Sequence, residues 1–236
     1  MFGARVIFKR NGRDEAEKPF WISFADLMTA LMVLFLVVMG VALLAVTKTV
    51  TERQVKEDQY KKDIDLILER FDQAAKRYSG IKVDKDRRVI DFGDRARFPF
   101  AKSVLSSEQE VVLRQFVPEI IALANDELGL RILKRIVVEG YTDKTGSYLS
   151  NLNLSLQRSQ RVLCSMFATV GQNLLTDGEK ENVRSLFLVG GYSFNAAKDT
   201  DEESRRVEMR LEFLGIDEKR PKTSIEPGNF GECALR

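Results

Sequence analysis

An unbroken apolar stretch from Phe20 to Val46 constrains this chain more than any other feature, because Asp26 is the only ionisable side chain in it. As an α-helix the stretch is about 40 Å long, enough to cross a hydrocarbon core of about 30 Å with some tilt. A carboxylate in such a helix costs about 2.5–3.5 kcal/mol to insert and commonly faces other helices or a wet cavity. The stretch therefore predicts a transmembrane helix, in which we expect Asp26 to bind an ion or a proton.

The residues around Asp26 favour that role. Ser23 lies three residues before Asp26 and Thr29 three residues after it, so a helix places both beside the carboxylate. Small and hydroxyl side chains allow other helices to approach closely, and we expect Ser23 and Thr29 to line the ion path. The alternative is a carboxylate at headgroup level that complements the helix dipole.

Composition excludes several classes of function. The chain contains no histidine, which removes Ser/His and Cys/His catalytic arrangements, HExxH zinc sites and histidine proton relays. It also lacks a Gly-rich phosphate loop. The net charge of +2 gives no electrostatic reason for direct nucleic-acid binding. We therefore expect neither an enzyme nor a protein with a metal or a cofactor.

Two cysteines, Cys164 and Cys233, allow at most one internal disulfide. In an oxidising compartment this bond would pin the C-terminal tail to the domain. The alternative is that Cys164 packs as a small buried hydrophobe, and the sequence leaves both open.

The apolar stretch is too long for the core of a cleavable signal peptide and ends without a small-x-small pattern, so we expect a retained signal anchor. Basic residues are nearly balanced on its two sides, so charge alone leaves the orientation open. We expect five segments. They are a tail over 1–18, a transmembrane helix over 19–46, a helical linker over 47–80, a globular domain over 81–215 and a tail over 216–236.

The predicted linker is highly charged and carries apolar residues at helical spacing. This stripe consists of Ile64, Leu68, Phe71, Ala75 and Tyr78. It covers about two heptads, fewer than a coiled coil needs. A helix packed on the following domain and a short dimeric stalk both remain open, and Ser79-Gly80 should end the helix.

The region from Ile81 to Leu214 predicts an α+β domain. Apolar alternation predicts strands over 83–92, 132–138, 185–189 and 207–214. Ser106 with Gln109 resembles a helix start, and a second helix is expected over 149–168. Pro118 should kink or divide the first helix, and a polar segment of about 15 residues should follow the second.

The globular region resembles the peptidoglycan-binding signature of OmpA-like domains, which have a βαβαβ-type fold. The first half of the match is Gly140-Tyr141-Thr142-Asp143 with Gly146, Asn151, Leu154-Ser155, Arg158 and Arg161-Val162. The second half is Gly190-Gly191-Tyr192 and Ser204-Arg205-Arg206-Val207-Glu208, with Ser204 where the family commonly has asparagine.

This resemblance implies that Asp143 and Arg158 clamp the diaminopimelate of the peptide stem. The chemistry agrees, because a zwitterion needs a carboxylate for its ammonium and an arginine fork for its carboxylate. Thr142 would add a hydrogen bond to the ligand or fix the loop, and the same two roles are open for Asn151. A plain structural salt bridge is the alternative for Asp143 and Arg158.

Two further arginines, Arg205 and Arg206, resemble the pair of the OmpA-like family, in which one is structural and one lies near the site.

The membrane stretch carries a second resemblance. Trp21-x-x-x-Ala25-Asp26-x-Met28-Thr29-Ala30-x-Met32 is similar to the stator family of MotB, and more closely to the ZorB family of the Zorya anti-phage defence system. In the MotB family this helix carries an essential proton-binding aspartate, and the resemblance implies that role for Asp26.

The resemblance implies a single-pass inner-membrane protein with its N-terminus in the cytoplasm and its domain in the periplasm. It further implies a homodimer, a multi-helix ZorA-like partner with five copies around two of this chain, and attachment to peptidoglycan. A flagellar-type motor subunit and a passive membrane-tethered anchor are the alternatives.

Overall fold

A computed structural model describes residues 14–221 and 230–235 of the chain. Most of the predicted N-terminal tail and part of the predicted C-terminal tail lie outside the described residues. The chain divides into two compact units, Met1–Lys56 and Glu57–Arg236.

Among the described residues, the first unit consists of the N-terminal part of helix α1, which runs over Asp14–Ala75. From Ser23 onward this helix is long and apolar enough to cross a membrane, and it is the one such helix among the described residues. Its most apolar window has a mean hydropathy of 2.8 and is not buried against protein. Large apolar side chains such as Leu31, Leu34 and Leu44 are exposed, as expected of a helix whose solvent is lipid.

The second unit is built on one mixed sheet with the strand order β1-β2-β5-β3-β4. The strands are β1 (Lys82–Asp84), β2 (Val89–Asp91), β3 (Leu133–Gly140), β4 (Phe187–Gly191) and β5 (Val207–Phe213). Strands β3 and β4 are parallel, whereas β5 lies antiparallel between β2 and β3. Thus β5, the last strand among the described residues, lies in the middle of the sheet.

In residues 14–221 and 230–235, five helices besides α1 accompany the sheet. They are α2 (Ser107–Asn125), α3 (Glu127–Ile132), α4 (Tyr148–Met166), α5 (Asp177–Leu186) and α6 (Asp201–Ser204), with a short 3-10 turn over Gly93–Ala96. The parallel pair β3/β4 is connected through α4 and α5, as parallel strands require a long crossover. The predicted α+β fold with one long apolar N-terminal helix is confirmed.

The apolar stripe predicted in the linker is part of the domain core. Ile64, Leu68, Phe71 and Ala75 are buried in the same cluster as the apolar face of α2. Tyr78 packs edge-on against Phe116 of α2, with ring centroids 5.1 Å apart. The structure therefore has this part of the linker packed on the domain, and the compact unit begins at Glu57, well before the predicted boundary.

Three local expectations differ from the structure. The single strand expected over 83–92 is a hairpin, β1 and β2, whose turn places Arg88 at φ +55. Helix α2 continues through Pro118, so of the two expectations for this proline, a kink or a division of the helix, the division is wrong. The polar segment after the second predicted helix contains α5, which begins with a reciprocal capping box between Thr176 and Glu179.

Two glycines allow α4 to lie directly on the ends of β3 and β4. A Cβ at Gly140 would stand 1.9 Å from the Ser155 carbonyl oxygen, and one at Gly191 would stand 2.8 Å from the Leu156 nitrogen. Real Cβ atoms do not come so close to backbone, so only glycine allows this packing. The close approach holds the start of α4 over the loop that follows β3.

Candidate functional site

In the membrane unit, Asp26 is exposed on the apolar surface of α1. It shares a shallow groove along one helix face with Thr29, Ala30, Val33, Leu34 and Val37. The Thr29 hydroxyl donates to the carbonyl oxygen of Ala25 at 2.6 Å. The lone pairs of the hydroxyl oxygen therefore remain available to accept a hydrogen bond or an ion. Ser23 is exposed one turn earlier. The ion-binding roles of Asp26, Ser23 and Thr29 stay predictions.

In the second unit, Asp143 lies three residues beyond the end of β3, and its side chain is almost fully buried. One carboxylate oxygen accepts from the Thr145 backbone N–H at 3.0 Å, and the other accepts from Nη1 of Arg205 at 3.2 Å. Burial by itself would raise the pKa of Asp143, but the hydrogen bonds from Thr145 and Arg205 outweigh it and leave that pKa below its ordinary value. Asp143 is therefore an ionised carboxylate near neutral pH.

Arg158 projects from α4 and is fully buried, and its guanidinium is held by backbone carbonyls. It donates to Lys102 through Nε at 2.9 Å, to Tyr141 through Nη1 at 2.7 Å and to Pro99 through Nη2 at 3.3 Å. Burial lowers the pKa of Arg158 to about 10, while the nearby charge of Asp143 opposes that shift. The guanidinium stays charged at neutral pH and fixes two loops at once.

Asp143 and Arg158 therefore lie in one site without forming the plain salt bridge that was the alternative to a ligand clamp. Within the described residues, the arginine that contacts Asp143 is Arg205. Arg158 is held away from the carboxylate because three of its five N–H groups are committed to carbonyls. The two residues interact through space rather than through a hydrogen bond.

The two consecutive arginines divide the roles that the family resemblance implies. Arg205 donates to the Phe98 carbonyl at 3.2 Å and faces Asp143. Arg206 is buried, lies over the Tyr141 ring at 4.4 Å and donates to Glu208 at 2.8 Å. Arg206 is thus a structural residue, whereas Arg205 belongs to the site.

The Thr142 hydroxyl is buried beside Asp143 and has no hydrogen-bond partner among the described residues. A buried hydroxyl without a partner is costly, so this atom is suited to a ligand. Asn151 has a different role, because its amide donates to the carbonyl oxygens of Thr145 at 2.8 Å and Ser147 at 3.2 Å. Of the two roles left open for Asn151, these contacts favour fixing the loop.

Sequence reasoning missed the 98–102 loop, whose carbonyls hold both Arg158 and Arg205. No periodicity or motif marks these residues, since their backbone and not their side chains makes the contacts. It also missed Glu139 and Glu208, which are fully buried opposite each other on β3 and β5. The sequence signal available for these two glutamates is that each has apolar neighbours along its strand, which indicates a buried position.

Each of these glutamates is neutralised by arginine. Arg210 donates to Glu139 at 2.6 and 2.9 Å, and Arg87 and Arg206 both donate to Glu208. The Tyr141 hydroxyl also donates to Glu139 at 2.6 Å, and burial raises the pKa of that tyrosine. This network anchors Tyr141, the residue with which the loop after β3 begins.

Cys164 of α4 and Cys233 of the tail form a disulfide. Beside it, the rings of Phe167 and Phe230 lie 5.1 Å apart. The tail is also held at Arg220, whose guanidinium donates to the carbonyl oxygens of Ala124, Gly129 and Leu133. The tail is therefore tied to the domain at two separate places.

The membrane segment matches the family model described as the membrane MotB of the proton-channel complex MotA/MotB, over residues 8–54. Over nearly its whole length the chain is similar to the Zorya protein ZorB of Escherichia coli O139:H28 (strain E24377A / ETEC). The two are 44% identical over 225 residues, which cover 94% of this chain and 92% of the relative.

Solved structures similar to this chain include the OmpA-like domain of FopA1 from Francisella tularensis, at 20% identity and a TM-score of 0.36. That match covers 54% of this chain and 75% of the other. Another is the periplasmic domain of Helicobacter pylori MotB, at 15% identity and a TM-score of 0.34, covering 50% of this chain and 77% of the other.

Proposed function

This chain belongs to the ZorB family, with a MotB-like membrane segment, and from that premise we propose that it is the stationary subunit of an ion-driven motor that acts in anti-phage defence. The motor lies in the bacterial inner membrane. The observation that carries the proposal is Asp26, the lone carboxylate of an otherwise apolar membrane helix. We propose that Asp26 carries the ion, most simply a proton.

The physics of the membrane favours such a cycle. An ionised carboxylate facing hydrocarbon is costly, and protonation removes that cost. Asp26 can therefore alternate between a neutral form that moves past apolar surface and an ionised form that needs a polar partner. Passage of one charge across 100 mV supplies about 2.3 kcal/mol. The partner would be a ZorA-like multi-helix subunit, with five copies around two of this chain.

The soluble unit supplies the anchor. We propose that the ammonium of diaminopimelate binds the Asp143 carboxylate, because that group is held ionised and carries the negative charge of the site beside the partly exposed Arg205. The carboxylate of the same ligand would bind Arg205 together with the two N–H groups that Arg158 has left, and Thr142 would contribute its free hydroxyl. Binding of the cell wall would place this unit in the periplasm and the N-terminus in the cytoplasm. The chain would then act without enzymatic chemistry.

The membrane proposal is tested by substituting Asp26 in a complex with its partner subunit. We expect Asp26→Asn to abolish proton flux in proteoliposomes and protection against phage, while Asp26→Glu retains part of both. Leu27→Asn is the matched control, since it adds the same amide one residue away and should leave flux measurable. Normal flux with Asp26→Asn in an intact complex would reduce the chain to a passive tether.

The anchor is tested separately with purified peptidoglycan sacculi. We expect Asp143→Asn to lose cosedimentation of the full chain in detergent, because the neutral amide no longer attracts an ammonium group. Asp217→Asn, on the surface away from the site, is the control and should sediment like the unaltered chain. Equal sedimentation of both variants would exclude Asp143 as the wall contact.

A further inference from the structure

The two edge strands of the sheet differ in how well they are protected against pairing with another chain. Strand β1, at one edge, is three residues long and carries Lys82 and Asp84. Strand β4, at the other edge, reads Phe187–Gly191 and has no charge and no proline. Charged and very short edge strands resist pairing with other chains, whereas an uncharged edge invites it.

Within the part of the chain that the structure describes, backbone groups of β4 at this edge have no partner. Successive residues of a strand direct their N–H and C=O groups to opposite sides. The Tyr192 N–H donates to Gly140 of β3, and the Phe187 N–H turns back to Val183 of α5. By this alternation the N–H and C=O of Val189 point away from β3, towards the outer edge.

Apolar side chains border the same edge on both faces. Val189 is 36% exposed and Leu188 is 47% exposed. Helix α4 passes the end of β4 at Gly191, and its Leu149 and Leu156 are also exposed, Leu149 to 73%. Exposed apolar groups beside an unpaired strand are a typical docking surface.

We propose that β4 pairs antiparallel with β4 of a second copy of this chain, about a two-fold axis at Val189. A strand edge centred on one residue is its own complement, because each Val189 offers one donor and one acceptor to the other. The absence of charge on β4 matters here, since a self-pairing surface brings every charge against its own copy. The result is one continuous sheet through both domains.

The size of this surface is compatible with a specific contact. Burial of five partly exposed side chains would cover roughly 400–500 Å² per copy, which approaches the roughly 1,000 Å² in total that a stable interface needs. These side chains are Leu149, Leu156, Leu188, Val189 and Tyr192. The inference deepens the proposed stator, on which it rests for the presence of two copies in one complex.

Crosslinking of the full chain in its membrane tests the pairing. In an antiparallel hydrogen-bonded pair the two Cα atoms lie about 5.5 Å apart, so Val189→Cys should give a covalent dimer with a short bis-maleimide. Val170→Cys is the control, because Val170 is 85% exposed and lies in a loop away from the edge. The chain's two native cysteines are joined in a disulfide and do not react. A crosslink no stronger at Val189 than at Val170, or one to a different protein, overturns the proposal.

A second measurement compares the dimerisation of variants in detergent by analytical ultracentrifugation. Val189→Lys places like charges opposite each other and should weaken the dimer about tenfold or more, whereas Val170→Lys should not. An unchanged dimer with Val189→Lys also overturns the proposal. Sedimentation with sacculi should stay normal in both variants because the Asp143 site is intact, so loss of pairing and loss of wall binding are separate results.

Discussion

Replacing Arg158 by lysine measures how firmly the site loops are held. The guanidinium of Arg158 is fully buried and donates to the carbonyl oxygens of Pro99, Lys102 and Tyr141. A lysine keeps the charge, but its compact ammonium cannot reach three carbonyls that lie in the directions of a planar fork. We expect two of the three bonds to be lost.

The magnitude follows from the type of bond. Each hydrogen bond to a charged group contributes about 1.5–3 kcal/mol, and the freed carbonyls stay buried without a donor. The free energy of unfolding should therefore fall by about 3–5 kcal/mol. For a unit of this size each kcal/mol lowers Tm by about 2–4 °C, so we expect a decrease of about 6–20 °C.

The assay uses the full chain in detergent, with thermal unfolding followed by near-ultraviolet circular dichroism and amide hydrogen exchange followed by mass spectrometry. Exchange should accelerate in residues 99–104 and 141–146, the two segments that Arg158 connects. Arg131→Lys is the matched control, because Arg131 is half exposed, contacts Asp63 at 2.9 Å and keeps its charge as lysine, so we expect a loss of at most about 1 kcal/mol. Equal decreases in Tm for the two variants, or unchanged exchange in both segments, would refute the reasoning.

Three further predictions concern the same unit. The pKa of Asp143 is lowered in the folded chain, so its contribution to stability is complete above the unfolded pKa near 3.9 and is lost as pH falls through the lower folded pKa. In acid-unfolding curves, the unaltered chain should therefore be more sensitive to acid than Asp143→Asn only below about pH 4. A difference that develops between pH 5 and 7 would contradict the assignment. The disulfide of Cys164 and Cys233 spans 69 residues, so the double serine variant should lose up to about 4 kcal/mol in denaturant unfolding, and reductant should cause the same loss in the unaltered chain but none in the variant. Gly140→Ala places a methyl group on the α4 backbone and should cost at least about 3 kcal/mol, whereas Gly178→Ala, which meets open space, should be nearly neutral in the same measurement.

The elements predicted best from the sequence are those whose pattern is local. Strand β5 alternates Val207, Met209, Leu211 and Phe213 on its core face, and it was predicted to within one residue. The start of α2 was predicted from the Ser106 capping box, which the structure contains in full. Helix α5 was missed although Thr176 carries the same motif, because its few apolar residues hid the helical period.

The contacts of the candidate site depend on strand order, which no local pattern contains. Arg205 precedes β5 and Asp143 follows β3, and the two strands are antiparallel neighbours with Gly140 opposite Val207. The C-terminal end of one strand therefore meets the N-terminal end of the other, which brings Arg205 to Asp143 across 62 residues of sequence. Arg158 is singled out by the OmpA-like signature, whereas its lack of a direct contact with Asp143 follows from this three-dimensional arrangement.

Helix α1 also determines where this protein can be cut. Ile67 and Phe71 are fully buried in the second unit, and Ile64 and Leu68 nearly so. Each contributes about 1.5–3 kcal/mol by its burial, so the four together match the whole stability of an ordinary domain, about 5–15 kcal/mol. A soluble fragment that starts at Ile81 would lack them and unfold, and a useful fragment should begin at or before Glu57. Cleavage by a protease between Phe71 and Ile81 would likewise unfold the domain instead of releasing it from the membrane helix.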